Sequence, residues 1–546
     1  MATEVNDGAG GNEAAGTVQG RSGTDVTSAL LSGGTYRSLG EQTLSPAEER
    51  VERARRTIGF VLAPLITVVF LFLPLGLDGT QHKLAAVLLG VVVLWVCEPV
   101  PIPVGGLIGV AAIVLFGIAP ADEALAPFGS STVFVFIGAF ILAQAMLRHG
   151  LVKRFAFLVL SIPGVGRTTT RVVAAFGLIT AVLSAVISNT ATVAMLLPTA
   201  VGILAVIADL IRKDLPEGVP FDPLRLRVGV ALMLMLAYGS DAGGLLTPIG
   251  SAPNLIGREF IEEATGRNIS FLSWFLMALP ICAIMFVLLA VVLLLLNRPE
   301  IKRISGVDEY VAAERAKLGR MSEAERNTLI AFAVTVTLWV VSGIVALVAG
   351  DDSAAYTTVS DHLDEGVVAV LGAALLFVLP TRWSRREFTL TWSEASKIDW
   401  GTILLFGCGI IFGTLLADTK LAETIGTGAA DALGLGSSVM ILVFAVVLAV
   451  VISETTSNTA AASVVVPILI PVAAAAGVDP FVPALAATFG ASFGFMLPVS
   501  TPQNAIVYGS GAVPITKMIR SGFTFDIAGI LLLALLLPVT AAMVFG

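Results

Sequence analysis

The chain has 546 residues, of which 56% are hydrophobic and only 13% are charged, whereas soluble domains contain about 25% charged residues. Its formal net charge of −8 argues against a nucleic acid partner. The three cysteines have no metal-ligand spacing and the three histidines are scattered, so a zinc enzyme is not indicated.

Residues 1–49 are rich in Gly, Ser, Thr, Ala and Glu, which predicts a disordered cytoplasmic tail. After this tail, apolar segments close to the ~20 residues needed to cross a bilayer follow one another. They lie at 57–76, 82–97, 103–118, 131–148, 273–297, 326–349, 364–380, 399–416, 437–452 and 523–545. The pattern predicts an all-α polytopic membrane protein with scaffold helices over 50–125.

Basic residues indicate which loops face the cytoplasm. Arginines are concentrated between residues 50 and 56, just before the first span, so we expect a cytoplasmic N-terminus. The basic segments 212–227, 298–320 and 382–397 are expected on the same side. Segment 351–365 has no Lys or Arg and fits the outside, and the last span lacks a basic flank, which predicts an external C-terminus.

A short polar motif occurs twice and indicates an internal repeat. Its copies are Ser188-Asn189-Thr190 and Ser457-Asn458-Thr459, each preceded four residues earlier by a serine, Ser184 or Ser453. Gly138 and Gly407 each lie 50 residues before the first serine of the triplet. We therefore assign 126–297 and 395–546 to two repeats, with a cytoplasmic linker and further scaffold helices over 298–394.

Each repeat has a second interrupted apolar segment, from Pro248 to Asn254 and from Pro498 to Asn504. Ser188 precedes Asn254 by 66 residues, whereas Ser457 precedes Asn504 by only 47. We attribute the longer spacing in the first repeat to a polar loop near 208–227. Matching Gly/Pro interruptions in two repeats indicate a secondary transporter. The expected loop positions give the repeats opposite orientations, which predicts inverted repeats.

The triplets predict the tips of re-entrant helical hairpins, because each stands between apolar arms that are short for a full crossing. A helix N-terminus at such a tip suits a carboxylate. Carbonyl groups, Ser hydroxyls and the Asn oxygen are hard ligands suited to Na⁺. For a single triplet, close helix packing by small residues would be the better explanation; two matched copies favour ligand sites.

Two acidic residues, Asp241 and Glu454, stand next to these motifs in apolar surroundings. Either can relay protons, bind a cation or serve as a hydrogen-bonded structural acid. The sequence leaves their roles open.

At these motifs the chain resembles the divalent anion/sodium symporter family, whose members transport succinate, citrate and related carboxylates. The resemblance is carried by the two triplets, by segment 250–254 (GSAPN) and by segment 495–511 (FMLPVSTPQNAIVYGSG), and it extends over roughly 57–546. It implies about 11 transmembrane helices plus two re-entrant hairpins, a homodimer and an elevator mechanism, in which a transport domain slides against a dimerising scaffold.

The resemblance also implies a set of site residues. The first sodium site would use Ser184, Ser188, Asn189 and Gly250, and the second Ser453, Ser457, Asn458 and Ser500. The substrate would be bound by Ser188, Asn189, Thr190, Ser251, Ser457, Asn458, Thr459, Thr501 and Pro502. The chain departs from the family pattern at Ala252 and Gln503, where proline is usual, and at Ser500, where a small apolar residue is usual.

We therefore expect no enzymatic activity but Na⁺-coupled symport of a succinate-like di- or tricarboxylate across the plasma membrane, with at least two Na⁺ sites. Electrogenic uptake of a dianion requires at least three Na⁺, and the position of a third site stays open. The alternatives are a Na⁺-independent dicarboxylate exchanger and a sodium/sulfate symporter. An exchanger is disfavoured because both sets of small oxygen ligands are intact, whereas sulfate stays open.

Overall fold

The computed structural model describes residues 46–74, 76–216, 221–350, 353–433 and 437–545. In this part of the chain almost all regular structure is helical, and the strands are a short antiparallel pair, β1 (Pro380–Arg382) and β2 (Glu387–Phe388). Ten of the described helices are long and apolar enough to cross a membrane, and four shorter apolar helices accompany them. The prediction of an all-α polytopic membrane protein is confirmed.

Within the described residues, four helices precede the first repeat. They are α1 (Pro46–Phe72), α2 (Gly79–Cys97), α3 (Ile102–Leu115) and α4 (Ala121–Leu125). Residues 1–45, which make up most of the tail expected over 1–49, lie outside the described residues. Only 11% of the apolar window of α1 is buried, so this helix presents most of its hydrophobic surface outward.

The first repeat contains a series of helices interrupted at the two expected places. They are α5 (Ser131–Arg148), α6 (Leu151–Leu160), α7 (Thr169–Ser184), α8 (Asn189–Asp214), α9 (Arg227–Gly244), α10 (Ala252–Thr265) and α11 (Phe271–Leu296). The following segment contains α12 (Val307–Leu318), α13 (Glu323–Ala349), α14 (Ala354–His362), α15 (Glu365–Val378) and α16 (Trp392–Ala395).

The second repeat has helices in the same order. They are α17 (Trp400–Asp418), α18 (Leu421–Leu433), α19 (Ser438–Thr455), α20 (Asn458–Ala475), α21 (Phe481–Gly490), α22 (Pro502–Gly509) and α23 (Ile515–Phe545). The triplets thus lie where α7 passes to α8 and where α19 passes to α20. The second interruptions separate α9 from α10 and α21 from α22.

Helix lengths differ between the repeats in a way that the sequence analysis did not anticipate. Helix α8 has 26 residues and α20 has 18, while α9 has 18 and α21 has 10. The longer spacing in the first repeat therefore comes from two longer helices as well as from the loop near 208–227. The prediction of a short arm is wrong for α8, which continues through Pro198 for 26 residues and rises about 39 Å.

Small residues bring the helices that carry the interruptions close together. Helices α7 and α9 pack against each other, and a Cβ added to Gly243 would lie 2.1 Å from the carbonyl oxygen of Ala181. Close approach of this kind is typical of membrane helices, whose association relies on packing because lipid provides no hydrophobic drive. It fixes the interruption after α9 directly against the end of α7.

Candidate functional site

The serine that opens each triplet caps the helix that follows. The Ser188 hydroxyl accepts a hydrogen bond from the N–H of Ala191 at 3.4 Å, and the Ser457 hydroxyl accepts one from Ala460 at 3.3 Å. Serine is a favoured N-cap because its oxygen satisfies an N–H that has no partner in the helix. This capping explains why both helices begin at the asparagine of the triplet.

The second interruptions are held open by an asparagine in each repeat. The side-chain amide of Asn254 donates to the carbonyl oxygens of Gly244 and Thr247, both at 2.8 Å. Asn504 donates in the same way to Gly494 at 2.7 Å and to Leu497 at 3.1 Å. The two unwound segments therefore share one hydrogen-bonding pattern, although the sequences between their end residues differ.

Oxygen atoms converge where the first tip meets the first unwound segment. Ser184 Oγ donates to Asn189 Oδ1. A Cβ added to Gly250 would lie 2.5 Å from the carbonyl oxygen of Gly244, 3.0 Å from that of Ser184 and 3.1 Å from that of Ala185. We call this group of oxygens beside Gly250 the first cradle. It offers neutral, hard oxygens of the kind that suit a monovalent cation.

A second cradle, formed by Ser453, Asn458 and Gly494, occupies the matching place in the second repeat. Ser453 Oγ lies 2.8 Å from Asn458 Oδ1 and 2.7 Å from the carbonyl oxygen of Ala491. A Cβ added to Gly494 would lie 3.0 Å from Asn458 Oδ1. In both repeats the serine four residues before the triplet thus meets the triplet asparagine.

The N-terminal ends of four helices lie around the two cradles. Helix α8 packs against α22 and α10 packs against α20, so each tip meets the interruption of the other repeat. One contact across this junction joins Thr190 Oγ1 to Gln503 Oε1 at 3.5 Å. Helix N-termini carry free N–H groups and a partial positive charge. Convergent helix N-termini suit a bound anion. The donors here are neutral, because no Lys or Arg occurs in segments 184–190, 244–254, 453–459 and 491–504.

The predicted site residues differ in their exposure. Six of them are buried: Ser184, Asn189, Gly250, Ser453, Ser500 and Thr501. Five are half-buried: Thr190, Ser251, Ser457, Asn458 and Thr459. The remaining two, Ser188 and Pro502, are exposed. The buried residues line the cradles, except Thr501, whose hydroxyl caps α22 by accepting from the N–H of Asn504 at 3.2 Å.

Asp241 and Gln503 join the two repeats, a connection that the sequence analysis missed. Asp241 Oδ1 accepts from Asn189 Nδ2 at 2.9 Å and from Gln503 Nε2 at 2.5 Å. Because Nδ2 of Asn189 points at Asp241, its Oδ1 atom points into the first cradle. Asp241 is fully buried, and its second oxygen has no hydrogen-bond partner among the described residues.

Glu454 ties the second tip to the second unwound segment. Its Oε1 atom accepts from the N–H groups of Phe495 at 2.5 Å and Met496 at 2.8 Å. Ser500 Oγ lies 2.8 Å from Glu454 Oε2 and 2.9 Å from the Glu454 carbonyl oxygen. A carboxylate that accepts two backbone N–H groups fits the structural role that the sequence left open for Glu454.

Comparison with known proteins adds independent evidence. The family model described as the sodium:sulfate symporter transmembrane region matches residues 54–545. A protein named sodium-dependent dicarboxylate transporter SdcS from Staphylococcus saprophyticus is 28% identical over 504 residues, covering 91% of this chain and 94% of that protein. The SdcS protein of Staphylococcus aureus (strain bovine RF122) is 28% identical over 500 residues, covering 90% and 92%.

A solved structure shares the overall fold. The crystal structure of the YdaH transporter of Alcanivorax borkumensis aligns with a TM-score of 0.50 at 14% identity, covering 91% of this chain and 98% of that one. At this identity the likeness concerns the fold alone. The family model, in contrast, matches nearly the whole described chain, including both triplets and both interruptions. The protein therefore belongs to the sodium:sulfate symporter family, a family of membrane transporters and not of enzymes.

Proposed function

We propose that this protein couples the uptake of a succinate-like di- or tricarboxylate to the entry of Na⁺ across the plasma membrane. The observation that carries the proposal is the pair of matched oxygen cradles among four converging helix N-termini. The names of the relatives, sodium-dependent dicarboxylate transporters, agree with it.

Each cradle would bind one Na⁺. Ser184, Asn189 and Gly250 would contribute to the first site and Ser453, Asn458 and Ser500 to the second. Gly250, Ser500 and the capping serines of the triplets would contribute through their backbone. Neutral oxygens line the first cradle, and the Asp241 carboxyl lies behind the Asn189 amide, so an ion in the cradle brings a positive charge close to the substrate.

The carboxylates of the substrate would lie at the helix N-termini beside the ions. Thr190 and Thr459 at the tips, and Ser251 and Thr501 at the interruptions, are the polar side chains best placed to donate to them. Because no Lys or Arg is built into these segments, anion affinity depends on bound Na⁺. That dependence provides the coupling and disfavours a Na⁺-independent exchanger.

Transport would follow an elevator mechanism in a homodimer. The repeats over 126–297 and 395–546 would form the moving domain, and the helices over 50–125 and 298–394 the scaffold. The outward hydrophobic surface of α1 supports contact with lipid or with a second subunit. With three Na⁺ per dianion, the membrane potential drives uptake by about 2.3 kcal/mol per net charge per 100 mV.

The proposed topology places the N-terminus in the cytoplasm and the C-terminus outside. It predicts that Asp361→Cys on α14 reacts with an impermeant maleimide added to intact cells, whereas Lys317→Cys on α12 reacts only after lysis. Both positions are exposed. The opposite labelling pattern would reverse the proposed orientation.

Sulfate is the second candidate substrate, because the matching family model is described by sodium:sulfate symport. The half-buried tip threonines can donate to sulfate as well as to carboxylate oxygens. The two substrates are distinguished by competition: excess unlabelled succinate, but not sulfate, should suppress uptake of labelled succinate.

The deciding experiment is uptake of labelled succinate into proteoliposomes with an inward Na⁺ gradient or with choline. We expect accumulation with Na⁺ alone, and equal accumulation in choline would disprove symport. Asn189→Ala and Asn458→Ala should abolish uptake while leaving subunit assembly intact; undiminished transport in both variants would reject the proposed site.

A further inference from the structure

The two cradles differ at a pair of matched positions. Beside the first cradle stand Ala185 and Gly250, and at the corresponding places beside the second stand Glu454 and Ser500. In the first repeat, backbone carbonyl oxygens approach Gly250 closely, whereas the second repeat has a hydroxyl and a carboxylate at the matching positions. The second repeat therefore has additional side-chain oxygens that can serve as ligands.

The hydroxyl of Ser500 faces more acceptors than it can satisfy. It lies 2.8 Å from Glu454 Oε2 and 2.9 Å from the Glu454 carbonyl oxygen. A hydroxyl carries one proton, so it can donate to only one of these two oxygens at a time. One oxygen of this group is left without a donor and is free to bind a positively charged ligand.

A second carboxylate, from Asp526 on α23, faces Glu454. The two side chains interact electrostatically, and both are 3% exposed. Neither carboxylate oxygen of Asp526 accepts a hydrogen bond from the described residues. Two buried carboxylates close together repel each other, so the pair is unfavourable unless a cation or a proton is bound to it.

Close helix packing holds α23 next to the second unwound segment. Helix α19 packs against α23, and a Cβ added to Gly522, one turn before Asp526, would lie 2.5 Å from the carbonyl oxygen of Phe495. Glycine at this position lets α23 contact the unwound segment. Asp526 is therefore held against Glu454 by close backbone contact.

No basic side chain neutralises this pair. Within the described part of the chain, neither Glu454 nor Asp526 forms an ion pair with Lys, Arg or His. Two further titratable groups lie nearby, Tyr238 and Asp241, and neither supplies a cation. The Tyr238 hydroxyl donates to the carbonyl oxygen of Phe495 at 2.6 Å. Two buried carboxylates with a spare hydroxyl oxygen make an oxygen-only environment, which suits a hard cation.

We propose that Glu454, Asp526 and Ser500 form a third Na⁺ site behind the second cradle. This inference rests on the proposed function and deepens it, because net inward charge with a dianion requires a third positive charge. The site is also connected to the substrate position. Glu454 holds the N–H groups of Phe495 and Met496, which open the segment leading to Thr501. An ion here stabilises the segment that presents α22 to the anion.

The test measures the membrane potential at which net succinate flux through the full-length protein stops in proteoliposomes. A Na⁺:succinate ratio of 3:1 gives a defined reversal potential, whereas a ratio of 2:1 is electroneutral and gives none. We expect a ratio of 3:1 for the wild type and 2:1 for Asp526→Asn, whose uptake should remain Na⁺-dependent but lose its stimulation by an inside-negative potential. Asp526→Glu should restore the ratio of 3:1. Thr540→Val, which removes another buried polar group of the same helix, should leave the ratio unchanged.

Several outcomes would overturn the inference. A ratio of 3:1 in Asp526→Asn, or of 2:1 in the wild type, removes the site while leaving Na⁺-coupled transport intact. If the wild-type reversal potential shifts with pH and does not require a third Na⁺, the carboxylate pair binds a proton instead of Na⁺. The wild-type measurement decides the question even if Asp526→Asn fails to fold, and Na⁺-independent uptake by the wild type would instead reject the proposed function.

Discussion

Gly250→Ala tests the first cradle directly. The added methyl carbon would lie 2.5 Å from the carbonyl oxygen of Gly244, 3.0 Å from that of Ser184 and 3.1 Å from that of Ala185. All three are backbone oxygens, so no side-chain rotation can relieve the contact. Overpacking of this kind costs about 1–3 kcal/mol. If that cost falls on the ion-bound state, the affinity for Na⁺ falls about 5- to 150-fold, since about 1.4 kcal/mol is a factor of ten.

The assay is the Na⁺ activation curve of succinate uptake in proteoliposomes. We expect the half-maximal Na⁺ concentration to rise about 5-fold or more and the KM for succinate to rise at low Na⁺. Gly509→Ala is the matched control, because a Cβ on this residue of α22 meets no atom within 4 Å. Equal melting temperatures of the variants ensure that the shift reports binding. A Gly250→Ala curve that coincides with that of Gly509→Ala would refute the assignment of the cradle to Na⁺.

Three further predictions concern side chains around the site and at the surface. Asp241→Asn should raise the half-maximal Na⁺ concentration about tenfold, because the hydrogen bond from Asn189 to Asp241 orients the Asn189 amide and an unsatisfied buried polar group costs about 1–3 kcal/mol; an unchanged activation curve would contradict this. Proline is tolerated in the first turn of a helix, so Gln503→Pro should leave α22 intact. The variant should change the KM for succinate several-fold without changing the Na⁺ dependence of uptake. A shift of the Na⁺ activation curve with an unchanged KM would contradict a substrate role for Gln503. Finally, the hydrogen bond from Arg148 lowers the pKa of Glu394 to about 2, below the ordinary value of about 4.3. The stability that this interaction contributes is present above about pH 4.3 and is lost as pH falls toward 2. The difference in melting temperature between wild type and Arg148→Gln should therefore shrink as pH falls over that range. A constant difference would refute the linkage.

The positions of the tips could be predicted from sequence because their causes are local. A serine before an asparagine in an apolar stretch marks a helix start, and Ser188 and Ser457 cap the helices in that way. The repeat then identified the partner segments, since Asn254 and Asn504 each follow a proline, Pro248 or Pro498, at the same spacing. The same reasoning misjudged the length of α8, which was expected to be a short arm. The helix continues through Pro198, because the backbone groups that a proline frees can find partners in a packed bundle.

Contacts between the repeats could not be predicted in this way. Asp241 and Gln503 are 262 residues apart, and their hydrogen bond depends on how α9 and α22 pack. The sequence showed that Gln503 departs from the family pattern, but it did not show that Asp241 is its hydrogen-bond partner. Asp526 left a signal that the sequence analysis passed over: it is a single acidic residue within the apolar stretch 523–545. Such a residue inside a predicted span is by default a functional candidate.

The central claim is that Na⁺ and a dicarboxylate bind together between the two tips and the two interruptions. The most direct measurement is a pair of cryo-electron microscopy maps of the full-length protein with succinate, one in Na⁺ and one in choline. The account predicts anion density beside Thr190 and Thr459 with density in both cradles in Na⁺, and the loss of all three in choline. Succinate density elsewhere in the protein, or density between the tips that persists in choline, would contradict it.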